Sequence, residues 1–208
     1  KRLEDRKVVI NGAGAAGIAI AKLLRCVEHD KSSQCTPVRD IVLCDSKGII
    51  HRDRDNLNAA KQQALGFTNL DHAKGSVKDA IVDADVFIGV SMGNLLDRND
   101  VKTMAKDAII FALANPDPEI LPEEAYAGGA AIVGTGRSDL PYQVNNVLGF
   151  PGIVRGALDA RAKQITPNMK LASAYAIADS ISIPSRDMII PPALDEVVAY
   201  KVAHAVKE

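Results

Sequence analysis

A three-glycine turn constrains this chain more than any other feature. The apolar run 7–10 (KVVI) ends at Gly12-Ala13-Gly14-Ala15-Ala16-Gly17, and residues 18–27 follow without proline or glycine. A short apolar run closed by a turn is the pattern of a strand buried on both faces, and the unbroken stretch after it predicts a helix. The order has a physical logic. Gly12 permits the sharp turn out of the strand. Gly14 has no side chain, so a ligand can approach the backbone. Gly17 lets the helix lie close to the strand. The free N–H groups and positive dipole end of the helix then offer a phosphate site.

The rest of the chain supplies the context that makes this turn a dinucleotide motif rather than a chance spacing. Apolar runs recur at 41–44, 86–90, 108–114 and 130–133, separated by helix-like stretches at 55–65, 78–82 and 101–105. Pro116 stops the fourth run, because proline cannot continue a central ladder. This alternation predicts an α/β, Rossmann-like, doubly wound and mostly parallel sheet with helices on both faces. The last third reads differently, as helices over 149–162, 167–180 and 193–206. In the last of these, Leu194, Val197, Val198, Val202 and Ala205 mark an apolar face. We read 1–208 as one domain with a helical C-terminal segment.

Composition excludes several classes. Charge is balanced, with 25 basic and 26 acidic residues and a net charge of −1, so nothing favours a nucleic-acid partner. No run is long and apolar enough to suggest a membrane span, and no secretory signal is visible. His29, His51, His72 and His204 are scattered without metal-ligand spacing. Cys26, Cys35 and Cys44 form no C-x-x-C pair, and the odd count predicts reduced thiols in a cytoplasmic protein. The chain starts at Lys1 rather than Met, which suggests a fragment or a processed product.

The strand ends carry the other candidate residues. Asp45 closes the second strand, where a carboxylate can accept hydrogen bonds from the adenosine ribose of a dinucleotide. It lies 33 residues after Gly12 instead of about 20, and residues 28–39 read as an elongated surface loop that takes up the excess. Asp45 puts NAD ahead of NADP, because it repels a 2′-phosphate. Ser46 and Lys47 can instead accommodate that phosphate. Ser91 follows the third strand, Asn115 follows the fourth, and 134–139 (GTGRSD) follows the fifth. Asn145 and Asn146 lie beyond. Singly each is an ordinary loop residue, but together they suit the rim of a ligand site.

Those residues resemble the C-terminal, cofactor-binding half of malic enzymes of the bacterial type. The resemblance rests on INGAGAAGIAIAKLL (10–24), CDSKG (44–48), GVS (89–91), ANPDPE (114–119) and GTGRSDLPYQVNNVLGFPGIVRGALD (134–159). It implies oxidative decarboxylation of malate to pyruvate and CO₂, with reduction of NAD or NADP and with Mg²⁺ or Mn²⁺. It implies that Gly12, Ala13, Gly14, Ala15, Ala16 and Gly17 hold the pyrophosphate. Asp45, Ser46 and Lys47 then lie at the ribose, Ser91 near the nicotinamide, and Asn115 between nicotinamide and malate. Asn145 or Asn146 contacts the malate carboxylate, with Asn146 favoured.

The family's catalytic Tyr and Lys and its acidic metal ligands lie upstream of the glycine turn. Here eleven residues precede Gly12, and Glu4-Asp5 reads as a surface acidic pair. We therefore expect no catalytic residue and no metal ligand in this chain, a missing N-terminal catalytic domain as partner, and a homo-oligomer. Two other readings stand beside this one. The chain can be the cofactor domain of another two-domain dehydrogenase, of amino-acid or folate type. It can also be a non-catalytic dinucleotide-binding module.

Overall fold

The computed structural model describes residues 2–29, 35–137, 139, 144–186, 188–193 and 195–207. They divide into two compact units, residues 1–27 with 36–141, and residues 28–35 with 142–208.

The first unit is built on a six-stranded sheet. Its strands are β1 (Lys7–Asn11), β2 (Asp40–Asp45), β3 (Gly48–Ile49), β4 (Val86–Gly89), β5 (Ile109–Ala112) and β6 (Ile132–Thr135). The spatial order is β3-β2-β1-β4-β5-β6. All pairings are parallel except the β2–β3 hairpin, which turns antiparallel at the edge. The chain thus winds outward from β1 to one side, then crosses to β4 on the other. The strand ends beside β1 form the switch point where such sheets bind ligands.

The strands are apolar throughout because both faces are covered. Val9, Val42, Cys44, Phe87, Ile110 and Val133 belong to one core, and Val8, Ile10, Ile41, Leu43 and Ile88 to the other. The helices are α1 (Ala15–Leu24), α2 (Ala59–Ala64), α3 (Val77–Ala80), α4 (Arg98–Lys102) and α5 (Pro122–Ala127). Local chemistry sets several of their starts. Asn58 caps α2, and reciprocal capping boxes start α3 (Ser76 with Asp79) and α4 (Asp97 with Asp100).

The second unit holds α6 (Phe150–Asp159), α7 (Pro167–Ala178) and α8 (Glu196–Lys207). Its core is Leu148, Val198, Val202 and Val206, with Ile153, Met169 and Ile177 packed against it. The close approach of α6 to α8 depends on Gly152, where a Cβ would lie 2.6 Å from the Cβ of Val202.

Most expected elements are present with ends shifted by a few residues, but there are corrections. The expected apolar face of the last helix holds at Val198 and Val202 but not at Val197. Val198, Val202 and Val206 are buried, while Val197 is 60% exposed, and Leu194 lies outside the described residues. The edge strand β3 and helix α5 are additions. Cys26 and Cys35 are both disulfide-bonded, which corrects the expectation of three reduced thiols. Sequence spacing alone does not tell which thiols meet. Cys44 is free and buried, and burial, with the charge of Asp45 beside it, pushes its thiol up to about 12. Within the expected loop 28–39, residues 30–34 lie outside the described residues, as do residues 138 and 140–143 of the string 134–159.

Candidate functional site

The glycine turn has the geometry its spacing demands. Gly12 sits at φ +121°, and a Cβ there would lie 2.7 Å from the carbonyl oxygen of Val90. At Gly17 a Cβ would lie 2.0 Å from the carbonyl oxygen of Gly12, so only glycine lets α1 approach the turn this closely. Gly14 is different, with nothing within 4 Å of the position a Cβ would take. The turn is thus closed where it faces the protein and open at the N-terminus of α1. Gly14, Ala15 and Ala16 are exposed there, and Ala13 is buried beneath them. The unpaired N–H groups of that first turn and the helix dipole fit a pyrophosphate.

A cavity of about 420 Å³ opens at the switch point. It is lined by Asn11 at the end of β1, by Asp45, Ser46, Lys47 and Gly48 around the β2–β3 turn, and by Ser91, Met92 and Leu95 after β4. The segment Gly75-Ser76-Val77 closes it. That segment is held because the N–H of Ile49 donates to the carbonyl of Gly75 at 2.8 Å. Four expected residues, Asp45, Ser46, Lys47 and Ser91, therefore share one cavity. Asn115 lies outside this lining, in an exposed position just past β5.

Asp45 is engaged by cations. Arg54 donates to both of its carboxylate oxygens at 3.0 Å, and Lys61 to Oδ2 at 2.6 Å. The Lys47 N–H adds a fourth donor at 2.9 Å. Burial works against ionisation here, but the hydrogen bonds from Arg54, Lys61 and Lys47 outweigh it and hold the carboxyl at about 2. Neither cation was legible as a site residue, since Arg54 and Lys61 meet Asp45 only after β3 turns back and α2 docks. The Ser76…Asp79 capping pattern was the one signal that could have placed the 75–77 wall.

Glu119, at the end of the ANPDPE string, carries no signal of its own in the sequence. It is completely buried below the ends of β4 and β5, and burial raises its carboxyl above the usual range despite hydrogen bonds from the backbone N–H groups of Ala114 and Ser91.

In the second unit, the side-chain oxygen of Asn145 accepts the N–H of Val147 at 3.0 Å and caps a short 3₁₀ turn, Asn146–Leu148. Asn146 is exposed. Glu4 and Asp5 lie in a 3₁₀ turn, with Glu4 paired to Arg2. Among the described residues, no group of three or more His, Cys, Asp or Glu side chains could hold a metal ion. No helix among them is long and apolar enough to cross a membrane.

Comparison with known proteins agrees with this geometry. A family model described as the NAD binding domain of malic enzyme matches residues 1–208, spanning both units. A bifunctional malic/malolactic enzyme of Bacillus subtilis is 56% identical over 209 residues, covering 99% of this chain and 49% of the relative. An NAD-dependent malic enzyme of Geobacillus stearothermophilus is 48% identical, covering all of this chain and 42% of the relative. The crystal structure of an NAD-dependent malic enzyme from Thermotoga maritima superimposes with a TM-score of 0.91 at 44% identity, covering all of this chain and 52% of that one. The chain thus spans about half the length of the relatives it matches. With a full-length family match, an open glycine turn and a cavity at the switch point, the chain belongs to the malic enzyme family, as its NAD-binding domain.

Proposed function

We propose that this chain is the hydride-accepting half of a malic enzyme, which converts malate to pyruvate and CO₂ while reducing a nicotinamide dinucleotide. One observation carries the reading. The turn that is sterically closed at Gly12 and Gly17 is open at Gly14, and beside it lies a cavity bounded by an acid at the end of β2. A pyrophosphate on the N-terminus of α1 places adenosine toward β2 and the nicotinamide toward β4 and β5.

When bound, the nicotinamide supplies the hydride acceptor for C2 of malate. The residues of this chain bind and orient it. The first turn of α1 takes the phosphate charge. Ser91 and Asn115, just past adjacent strands, hold the nicotinamide and the substrate side with neutral groups that leave the charge of malate for other partners. Asn146 is the candidate for the malate carboxylate, since the oxygen of Asn145 is used in its cap. Among the described residues, no group of three or more His, Cys, Asp or Glu side chains is placed to hold a divalent metal. The Tyr–Lys pair and the Mg²⁺ or Mn²⁺ ligands are assigned to the part of a malic enzyme that this chain does not span. Phe150, Leu158, Ile183 and Tyr200 of the second unit are exposed apolar side chains, which supports coverage by that part or by a second subunit.

The ribose end modifies the expected cofactor choice. A free carboxylate repels a 2′-phosphate, but Asp45 is neutralised by Arg54 and Lys61, with Lys47 nearby. We propose that both NAD and NADP are accepted and that this ion cluster sets their ratio. Parallel calorimetric titration with NAD and NADP tests the reading. Saturable binding of at least one supports it, and binding of neither removes it.

A further inference from the structure

The ends of β4 and β5 are tied together through one buried side chain. Oε1 of Glu119 accepts the N–H of Ser91 at 3.2 Å, and Oε2 accepts the N–H of Ala114 at 3.1 Å. The main-chain carbonyl of the same residue accepts the N–H groups of Leu95 and Leu96 at 2.8 and 3.0 Å. Glu119 therefore accepts three hydrogen bonds from the loop after β4 and one from the loop after β5, while being 0% exposed. Room for its carboxyl comes from Gly89 in β4, where a Cβ would lie 2.1 Å from the carboxyl carbon.

A carboxyl group is a costly way to fill a buried space, and an aliphatic side chain would serve packing better. What it offers instead is two acceptors at a fixed separation. Two parallel strands that end side by side leave N–H groups beyond the ladder, and here one side chain satisfies both. The two groups it holds lie within one residue of Ser91 and Asn115, the candidates for the nicotinamide side. With pyrophosphate at the end of β1 and adenosine toward β2, the other half of a dinucleotide must cross these two strand ends.

We infer that Glu119 is a positioning residue for the nicotinamide half of the site, setting the spacing between Ser91 and the Ala114–Asn115 step. The inference rests on the dinucleotide reading above. Being fully buried, Glu119 acts through the backbone it holds and does not touch the ligand.

The test is Glu119→Gln in the full-length protein, titrated calorimetrically with NAD and with ADP-ribose, which lacks the nicotinamide. Glutamine keeps the shape but turns an N–H donor toward one of the backbone N–H groups. Affinity for NAD should fall roughly tenfold while that for ADP-ribose stays within about twofold. Equal loss for both ligands, or no loss for either, overturns the inference and leaves the dinucleotide reading intact. A wild-type protein that binds neither overturns both. A second measurement needs no variant. In ligand-free wild type, hydrogen exchange at the Ser91 and Ala114 amides should be slow, and fast exchange at either overturns the inference.

Discussion

The strand ends on either side of β1 each carry one carboxylate, and the two sit in opposite surroundings. Asp45, at the end of β2, borders an open cavity and is held by Arg54 and Lys61. Glu119, beneath β4 and β5, is sealed from solvent and receives its hydrogen bonds from backbone N–H groups. In the first case charge is balanced by charge within reach of a ligand. In the second, a carboxyl satisfies backbone donors and fixes their spacing. On the proposed reading, the adenosine side is thus tunable by ion pairing, and the nicotinamide side is set by the fold.

The sharpest way to break this contrast is to delete each carboxylate. Glu119→Ala leaves two buried N–H groups without an acceptor as well as a cavity, so we expect a loss of about 4 kcal/mol in urea unfolding. Asp45→Ala should cost about 1 kcal/mol, since water can reach the released cations and Arg54 keeps the carbonyls of Gly48 and Ile49 as partners. Equal losses would erase the distinction.

Next in size is Gly89→Ala. Its new Cβ would overlap the Glu119 carboxyl, and such overpacking costs about 2–3 kcal/mol. In a Glu119→Ala background the same change should cost much less, because the space is vacant. A double-mutant cycle measures the coupling, and strict additivity would show that Gly89 answers to something other than Glu119.

The two carboxylates should also leave opposite marks on the pH dependence of stability. Asp45 is held at about 2 against an ordinary 3.8. Its contribution, on the order of 1 kcal/mol once solvent screening is allowed for, is present above about pH 4 and lost as pH falls toward 2. Glu119 is raised above its ordinary 4.5. A raised acid favours the folded state at low pH, and that contribution is lost as pH climbs through the raised value. Asp45→Asn should therefore flatten the acid limb of the stability profile, and Glu119→Gln should flatten a decline that begins above pH 4.5.

The same contrast explains what was legible in the sequence. The closed glycine turn and the position of Asp45 at the end of β2 are read from local order, because both follow from where the apolar runs stop. The expected parallel sheet with covered faces follows from the same runs. Arg54 and Lys61 escape notice because their meeting with Asp45 depends on a two-residue edge strand and a docked helix. Glu119 escapes for a further reason. It sits among Asn115, Pro116, Asp117 and Pro118, where an acid reads as turn polarity, and only the closed core reveals it as buried. The exposure of Val197 on α8 has a related cause. An apolar residue such as Val197 fits several helical faces, and the glycines of α6 select one.

The smallest expected effect bears directly on the tunable side. Asp45→Asn keeps the size of the side chain but removes the charge that offsets Arg54 and Lys61. The ribose end then carries an uncompensated excess of positive charge, and the amide accepts fewer hydrogen bonds from its neighbours. Binding of NADP relative to NAD should rise about tenfold, the equivalent of one lost charge interaction at a partly solvated site. Lys61→Ala should move the ratio the other way by about threefold, since Arg54 remains to neutralise the carboxylate. If neither substitution changes the ratio of the two dissociation constants, the ion cluster is a structural brace for the β2–β3 turn. The adenosine side would then be as fixed by the fold as the strand ends above Glu119.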